Sequence, residues 1–321
     1  MAKYIIKRVA MGIFSIFIVA TVTFFVMNLV PGGPFVAEKS ISAAAQQALA
    51  EKYGLDKPLS VQYVNYMKSL LHGDLGTSLR FNAPVIDVIA TRAVNSLALM
   101  ATAWAVSGVL GFALGILAGA NRGRLIDRIV KGYCFLLASV PTFWLGLLFL
   151  IVFSVQLGWF PFGFSVPIGV SAADVTFADA LHHLALPALT LSVIGVANIA
   201  LHTREKTIDV LESDYVRFAR ARGLSTWGAL RHHGLRNLAL PALTLQFASI
   251  SEIFGGSVLV EQVFSYPGLG QAAVTAGLGG DAALLVGIAL FSAAFVFTGN
   301  LIASTLYGVV DPRMRKGAAH G

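Results

Sequence analysis

Apolar and polar positions fall in long blocks along this chain, not in short periods. Six stretches are apolar almost without interruption: 9–30, 94–120, 133–158, 184–202, 238–261 and 283–309. A helix needs roughly 20 mostly apolar residues to cross a hydrocarbon core. The runs are continuous and do not alternate residue by residue, so spanning helices are expected rather than barrel strands. The first run follows Lys3, Lys7 and Arg8 as a signal peptide would. It continues to Val30, beyond the ~7–15 residues of such a segment, and no small-residue cleavage pattern follows closely. A retained first helix is expected.

Composition supports the membrane class. Of 321 residues, 56% are hydrophobic and 12% are charged, against about 25% charged in an ordinary soluble domain. Mean hydropathy is +0.76. A pI near 9.6 would suit a nucleic-acid binder, but the placement of the basic residues accounts for it better. All but six of the 23 lysines and arginines lie in four places. They are the N-terminus, the loop with Arg122, Arg124, Arg128 and Lys131, the loop from Arg204 to Arg236, and the C-terminus with Arg313, Arg315 and Lys316. The loops after the third and fifth runs have none. The other six lie in the long segment 31–93, where the charge rule is weak. Both termini are therefore expected in the cytoplasm, on an all-α integral membrane protein of six spans. The organisation reads as 1–93, first span plus large outer loop; 94–312, five-helix core with a cytoplasmic loop at 203–237; and 313–321, a cytoplasmic tail. In the outer loop, "SAAAQQALAEKYG" reads as a helix from Ser42 to a stop at Gly54. Trp159, Phe160 and Phe162 suit the headgroup level.

The densest basic stretch is "DYVRFARARGLSTWGALRHHGLRNLALP", Asp214 to Pro241. Asp214 to Arg222 lacks proline and glycine and can be helical, and Gly223 breaks it. Ser225 can cap a second short helix ending before Gly234. Leu224, Trp227 and Leu230 give that turn an apolar side, and Arg217 and Arg220 share a face one turn apart. Charge near anionic lipid is the plain explanation. Nucleic acid is disfavoured, because Asp209, Glu212 and Asp214 are interleaved and no stacking platform accompanies them. Ordered bends, the small residues Ala219 and Ala221, and Trp227 favour a docking surface for a cytoplasmic partner.

This stretch resembles the EAA-type loop of ATP-binding-cassette importer permeases, in the peptide/nickel branch. The residues that carry the likeness are Asp214, Tyr215, Val216, Arg217, Ala219, Arg220, Ala221, Gly223 and Leu224, then Arg231, His232, Leu235, Arg236, Asn237, Leu240 and Pro241. Phe218, Arg222 and Gly234 depart from it, and Arg217-Phe218-Ala219 stands in place of a literal Glu-Ala-Ala. "PGGPF", "KYGLDKPLSVQY", "GDLGTS", "PVIDVI", "SVPTFWLGLLF", "VEQVFSYPGLGQ" and "LYGVVDPRMR" extend the resemblance over nearly the whole chain. Val94, Gly280-Asp281-Ala282 and Ser304 depart from the family's wording. The resemblance implies a type I importer permease fold in a bacterial or archaeal cytoplasmic membrane. Asp214, Tyr215, Arg217, Ala219, Arg220, Ala221, Gly223, Leu224 and Trp227 would then form a coupling helix that seats in an ATPase subunit. It also implies two ATP-binding subunits, a second permease chain (a paralogue or a second copy) and an extracytoplasmic solute-binding protein. "PGGPF" followed by "EKS" leans towards oligopeptides, with nickel or a metal chelate as the alternative cargo.

The chain has no G-x-x-x-x-G-K-[ST] loop, so ATP and Mg are expected on the partners and no cofactor on this chain. Glu252 is the only acid well inside an expected span. It reads either as a contact for a substrate amine in the translocation path or as an acid hydrogen-bonded between helices. A proton relay in a gradient-driven secondary transporter lacks a partner residue, and such a transporter should show inverted repeats. Asn198, Gln246 and Asn300 also lie inside spans, and helix–helix hydrogen bonds suit them better than ligands. The pairs His182-His183 and His232-His233 point about 100° apart on a helix, poorly placed for one metal. Cys134 suits small apolar packing, and no hydrolase constellation is assembled.

Overall fold

A computed structural model of the protein describes residues 2–29, 57–171 and 174–310. The expected helix from Ser42 to Gly54, the "PGGPF" motif and the basic tail at Arg313, Arg315 and Lys316 lie outside the described residues. The described chain is almost entirely helical. Its strands are β1 (Thr77–Ser78) and β2 (Ala83–Pro84), paired antiparallel with Thr77 opposite Pro84.

Three helices are long and apolar enough to cross a membrane: α1 (Ala2–Leu29), α3 (Val85–Ala120) and α12 (Ala282–Val310). Three further crossings would each need a bent pair. One is α4 (Leu125–Ala138) with α5 (Thr142–Phe149, continued as a π turn over Leu150–Gln156), meeting at 105°. The second is α6 (Phe177–Leu211), bent within its length. The third is α9 (Leu235–Ala248) with α10 (Ile250–Val263), meeting at 50°. The shorter helices are α2 (Leu59–Leu71), α7 (Asp214–Ala221), α8 (Thr226–Ala229) and α11 (Leu269–Leu278).

The apolar run 133–158 is thus not one straight helix. Pro141 sits in extended geometry before α5 (φ −59°, ψ 135°), where it has no N–H to continue the ladder. The basic "NRGRLIDRIVKG" segment is mostly helix as well. Asp127, Val130, Cys134 and Leu137 recur at helical spacing and are the buried face of α4. Similarly, α6 runs well past the expected 184–202 at both ends. Its start is fixed by a capping box, in which the Asp179 N–H donates to Thr176 Oγ1 and the Thr176 N–H donates back to Asp179 Oδ2. The Thr176 hydroxyl, donating to Asp179 Oδ2 at 2.6 Å, and then the Thr176 N–H hold the Asp179 carboxyl below its usual range.

The chain forms two compact units: Met1–Asn95 with Pro267–Phe297, and Ser96–Tyr266 with Thr298–Gly321. In the first, Val85, Val88 and Ile89 of α3 pack with Leu269, Ala272 and Ala276 of α11 and with Leu284 and Ile288 of α12. Asp281 organises this unit. Its Oδ1 caps α12 by accepting the Leu284 N–H at 3.1 Å. Its Oδ2 accepts the Ser78 hydroxyl at 2.6 Å and the Arg80 N–H at 3.0 Å.

The second unit is built on close contact between α3 and α6. A Cβ at Gly111, Gly115 or Gly119 would lie 2.7, 2.5 or 2.5 Å from side-chain atoms of Ile199, Thr203 or Thr207 respectively. Glycine at these four-residue steps lets the backbones approach, the association mode that works where lipid supplies no hydrophobic drive. Ala118 of α3, Val130 and Cys134 of α4, and Ala197 and Ala200 of α6 complete this core.

Candidate functional site

The basic loop folds as two short helices joined by a sharp turn. Ser213 is extended (φ −70°, ψ 150°) and opens α7. On the inner side of α7, Val216 and Ala219 pack with Ala229, and Val210, Leu211 and Leu224 close the cluster. Asp214, Tyr215, Arg217, Phe218, Arg220 and Ala221 face outward. Phe218 is 72% exposed. Asp214 in the first turn and Arg220 in the last complement the helix dipole. Ala219 therefore shapes the loop from within and presents nothing to a partner.

Gly223 makes the turn. Its φ is +96°, and its N–H donates to Arg220 O at 2.9 Å while the Leu224 N–H donates to Ala219 O at 3.2 Å. These two bonds close the left-handed helix end that favours glycine. A Cβ there would meet nothing within 4 Å, so the requirement comes from backbone torsion and not from space. Ser225 then caps α8, its Oγ accepting the Gly228 N–H at 3.1 Å.

Two expectations for this stretch are corrected. Leu224, Trp227 and Leu230 do not share one apolar side: Leu230 is 1% exposed, packed with Ile116 and Leu238, whereas Trp227 is 50% exposed. Nor does Gly234 end the second helix. Residues Leu230–Gly234 form a π turn that runs straight into α9. Gly234 is buried, and a Cβ there would lie 3.0 Å from Leu230 and 3.3 Å from Val210. Asn237 of α9 donates to Tyr215 Oη at 2.9 Å and ties α7 to the same rod.

Neighbouring carboxylates are taken up elsewhere. Arg122 pairs with Glu212, Arg204 with Glu205, and Lys206 with Asp209. Among the described residues no ion pair engages Arg217, Arg220, Arg222, Arg231 or Arg236, and all five are exposed. The inner end of the loop is anchored by a pair that sequence reasoning missed. Asp127, 1% exposed and outside the apolar run, is held by Arg204. The arginine's hydrogen bonds lower the Asp127 carboxyl to about 2. The i, i+3, i+7 spacing of Asp127, Val130 and Cys134 is the signal that the sequence carries.

The polar residues of the apolar runs separate into two groups. Gln246 is buried between helices: its Nε2 donates to Trp104 O, and Trp104 Nε1 donates back to Gln246 O at 2.8 Å. Asn198 is exposed although Val196, Ala197, Ile199 and Ala200 around it are buried. Glu252 and Asn300 are exposed too, and the Ser251 hydroxyl donates to Asn300 Oδ1 at 3.3 Å. A second acid escaped the sequence reading. Glu261, at the end of α10, is fully buried and accepts the Ser96 hydroxyl at 2.7 Å. His182 and His183 donate to two different carbonyls, Trp159 O at 2.8 Å and Gly163 O at 2.9 Å.

Residues 111–316 match the family described as binding-protein-dependent transport system inner membrane component. Residues 1–100 match the N-terminal model of the same systems. The chain is 38% identical to the oligopeptide transport system permease protein AppB of Bacillus subtilis (strain 168), over 98% of this chain and 99% of that one. It is 37% identical to the glutathione transport system permease protein GsiC of Escherichia coli O6:H1, with the same coverage.

Proposed function

Since the chain belongs to the family of binding-protein-dependent transport system inner membrane components, we propose that it is the permease half of an ATP-driven peptide importer. Six crossings, with both ends in the cytoplasm, put the Asp214–Pro241 loop on the ATPase side. The carrying observation is the outer face of α7, where Arg217, Arg220 and Phe218 stand exposed on a helix whose inner face is sealed. Relatives named for oligopeptide and glutathione transport support a peptide cargo over nickel. A solute-binding protein would deliver the peptide, and two ATPase subunits would supply the energy. A second permease chain would complete the passage.

The mechanism is mechanical. Closure of the ATPase pair displaces α7 about Gly223. The movement passes through Tyr215–Asn237 and the π turn into α9, and through α6 into α4 by way of Arg204–Asp127. Differential affinity of the ATPase for the two positions of α7 supplies the coupling free energy. The test is Gly223→Val in the reconstituted importer. A β-branched residue is strongly disfavoured at this φ. ATP hydrolysis should persist while uptake falls, in protein that still inserts; unchanged uptake would remove Gly223 from the mechanism.

A further inference from the structure

One open face in the second unit is chemically unlike a lipid-facing surface. Ala248, Glu252, Gly255 and Leu259 are all exposed and recur at four-, three- and four-residue steps across the end of α9 and along α10. They make one stripe. A Cβ at Gly255 would meet nothing within 4 Å. Beside the stripe, Ser251 donates to Asn300 Oδ1, the Ser304 hydroxyl donates to Asn300 O at 2.7 Å, and Thr298 and Asn300 are exposed. The open face of α1 instead carries Ile13, Phe14, Phe17, Ile18 and Val22, the composition lipid accepts.

A carboxylate within an apolar run is costly where it meets hydrocarbon, and such residues face cavities or partners. Glu252 lies 14 residues beyond Leu238, roughly 21 Å of helix, just after the bend at Ser249. Among the described residues no cation pairs with it. Oxygens of the kind an ammonium group needs stand at neighbouring positions: the Glu252 carboxylate on the stripe and, one residue back along α10, Ser251 Oγ hydrogen-bonded to Asn300 Oδ1.

We propose that Glu252, with Ser251 and Asn300, forms a subsite for a protonated primary amine of the passing peptide, on the wall of a water-filled passage. It rests on the permease reading above. It adds a point of chemical selection inside the membrane, separate from whatever delivers the cargo. One charge–amine contact at partial exposure favours peptides with a free amine, and it is weak enough to let them leave.

Two measurements on the complete importer in proteoliposomes test this. Cys134 is the only cysteine in the chain and is buried, so Glu252→Cys in a Cys134→Ser background gives a single reporter. A membrane-impermeant thiol reagent should label it in at least one ATPase state. No labelling in any state would mean lipid or a sealed interface, and would overturn the proposal. Glu252→Gln should lower uptake of a free-amine peptide about tenfold relative to its N-acetylated counterpart, and Glu252→Asp should retain most of the preference. Equal loss for both peptides, or no loss, would overturn the subsite even with labelling intact. If the unaltered importer carries neither peptide with ATP, the permease reading itself fails, an outcome distinct from a lost preference.

Discussion

Arg204 holds Asp127 in a two-pronged grip: Nε donates to Oδ1 at 2.5 Å and Nη2 to Oδ2 at 2.9 Å. The Gly123 N–H donates to the same carboxylate at 2.8 Å, and Lys131 Nζ lies 4.0 Å away. The pair joins the first turn of α4 to the last third of α6. Asp127→Asn takes away the buried partner of Arg204 and leaves the guanidinium only the exposed Glu205, and losing one member of a buried pair costs about 3–5 kcal/mol in comparable cases. The detergent-solubilised variant should melt at lower temperature. Asp127→Leu with Arg204→Met should recover much of the loss, because a packed apolar pair often replaces a buried ion pair at little cost. If the double variant melts no higher than the single one, unpaired charge is not the cause.

The same pair has a definite pH signature. The folded Asp127 carboxyl is depressed from 3.8 to about 2, so its contribution is complete above the unfolded value and is lost as pH falls through the folded one. Loss of stability between pH 7 and pH 5 should therefore be the same in the unaltered protein and in the double apolar variant, read by melting temperature. A difference in that window would contradict the assignment.

On α7, inward and outward residues should fail differently. Arg217→Glu and Arg220→Glu should reduce copurification of the ATPase, with the loss greatest at low salt, where surface charge is least screened. The permease should keep its melting temperature. Val216→Asp should lower that temperature, because it places a carboxylate in a sealed cluster. Equal effects on the two readouts from both kinds of change would undo the division of the helix into faces.

Close approach of α3 and α6 makes Gly115 sensitive to a single methyl group. A Cβ there would lie 2.5 Å from Thr203 Cβ and 2.7 Å from the Ala200 carbonyl oxygen. The second neighbour is backbone and yields poorly. Gly115→Ala should destabilise the fold by about 1–3 kcal/mol, visible as lower yield and melting temperature. Gly132→Ala, with nothing within 4 Å of its Cβ position, is the matched control.

Much of the architecture was legible as apolar run length. All six expected runs are helical over most of their extent, and the Gly223 and Ser225 signals fell on the turn and cap they implied. What escaped depended on tertiary context. Pro141 and the buried face of α4 turned an expected straight span into an angled pair. Asp127 was hidden among arginines that made its neighbourhood look like open loop. The partnership of Gln246 with Trp104 spans 142 residues of sequence separation. Glu252 stands out because carboxylates are rare in apolar runs, whereas Glu261 sits where the run ends and reads as its flank.

The π turn at Leu230–Gly234 sets an azimuth. From Thr226 to Ala248 the helix is continuous, but the wide turn offsets the angular register on its two sides. Removing one residue within it would rotate everything beyond by about 100° relative to Trp227. Gln246 would swing away from Trp104, and Asn237 away from Tyr215. The chain length of that one turn is thus the setting that lets the loop and the membrane segment each keep its own correct facing.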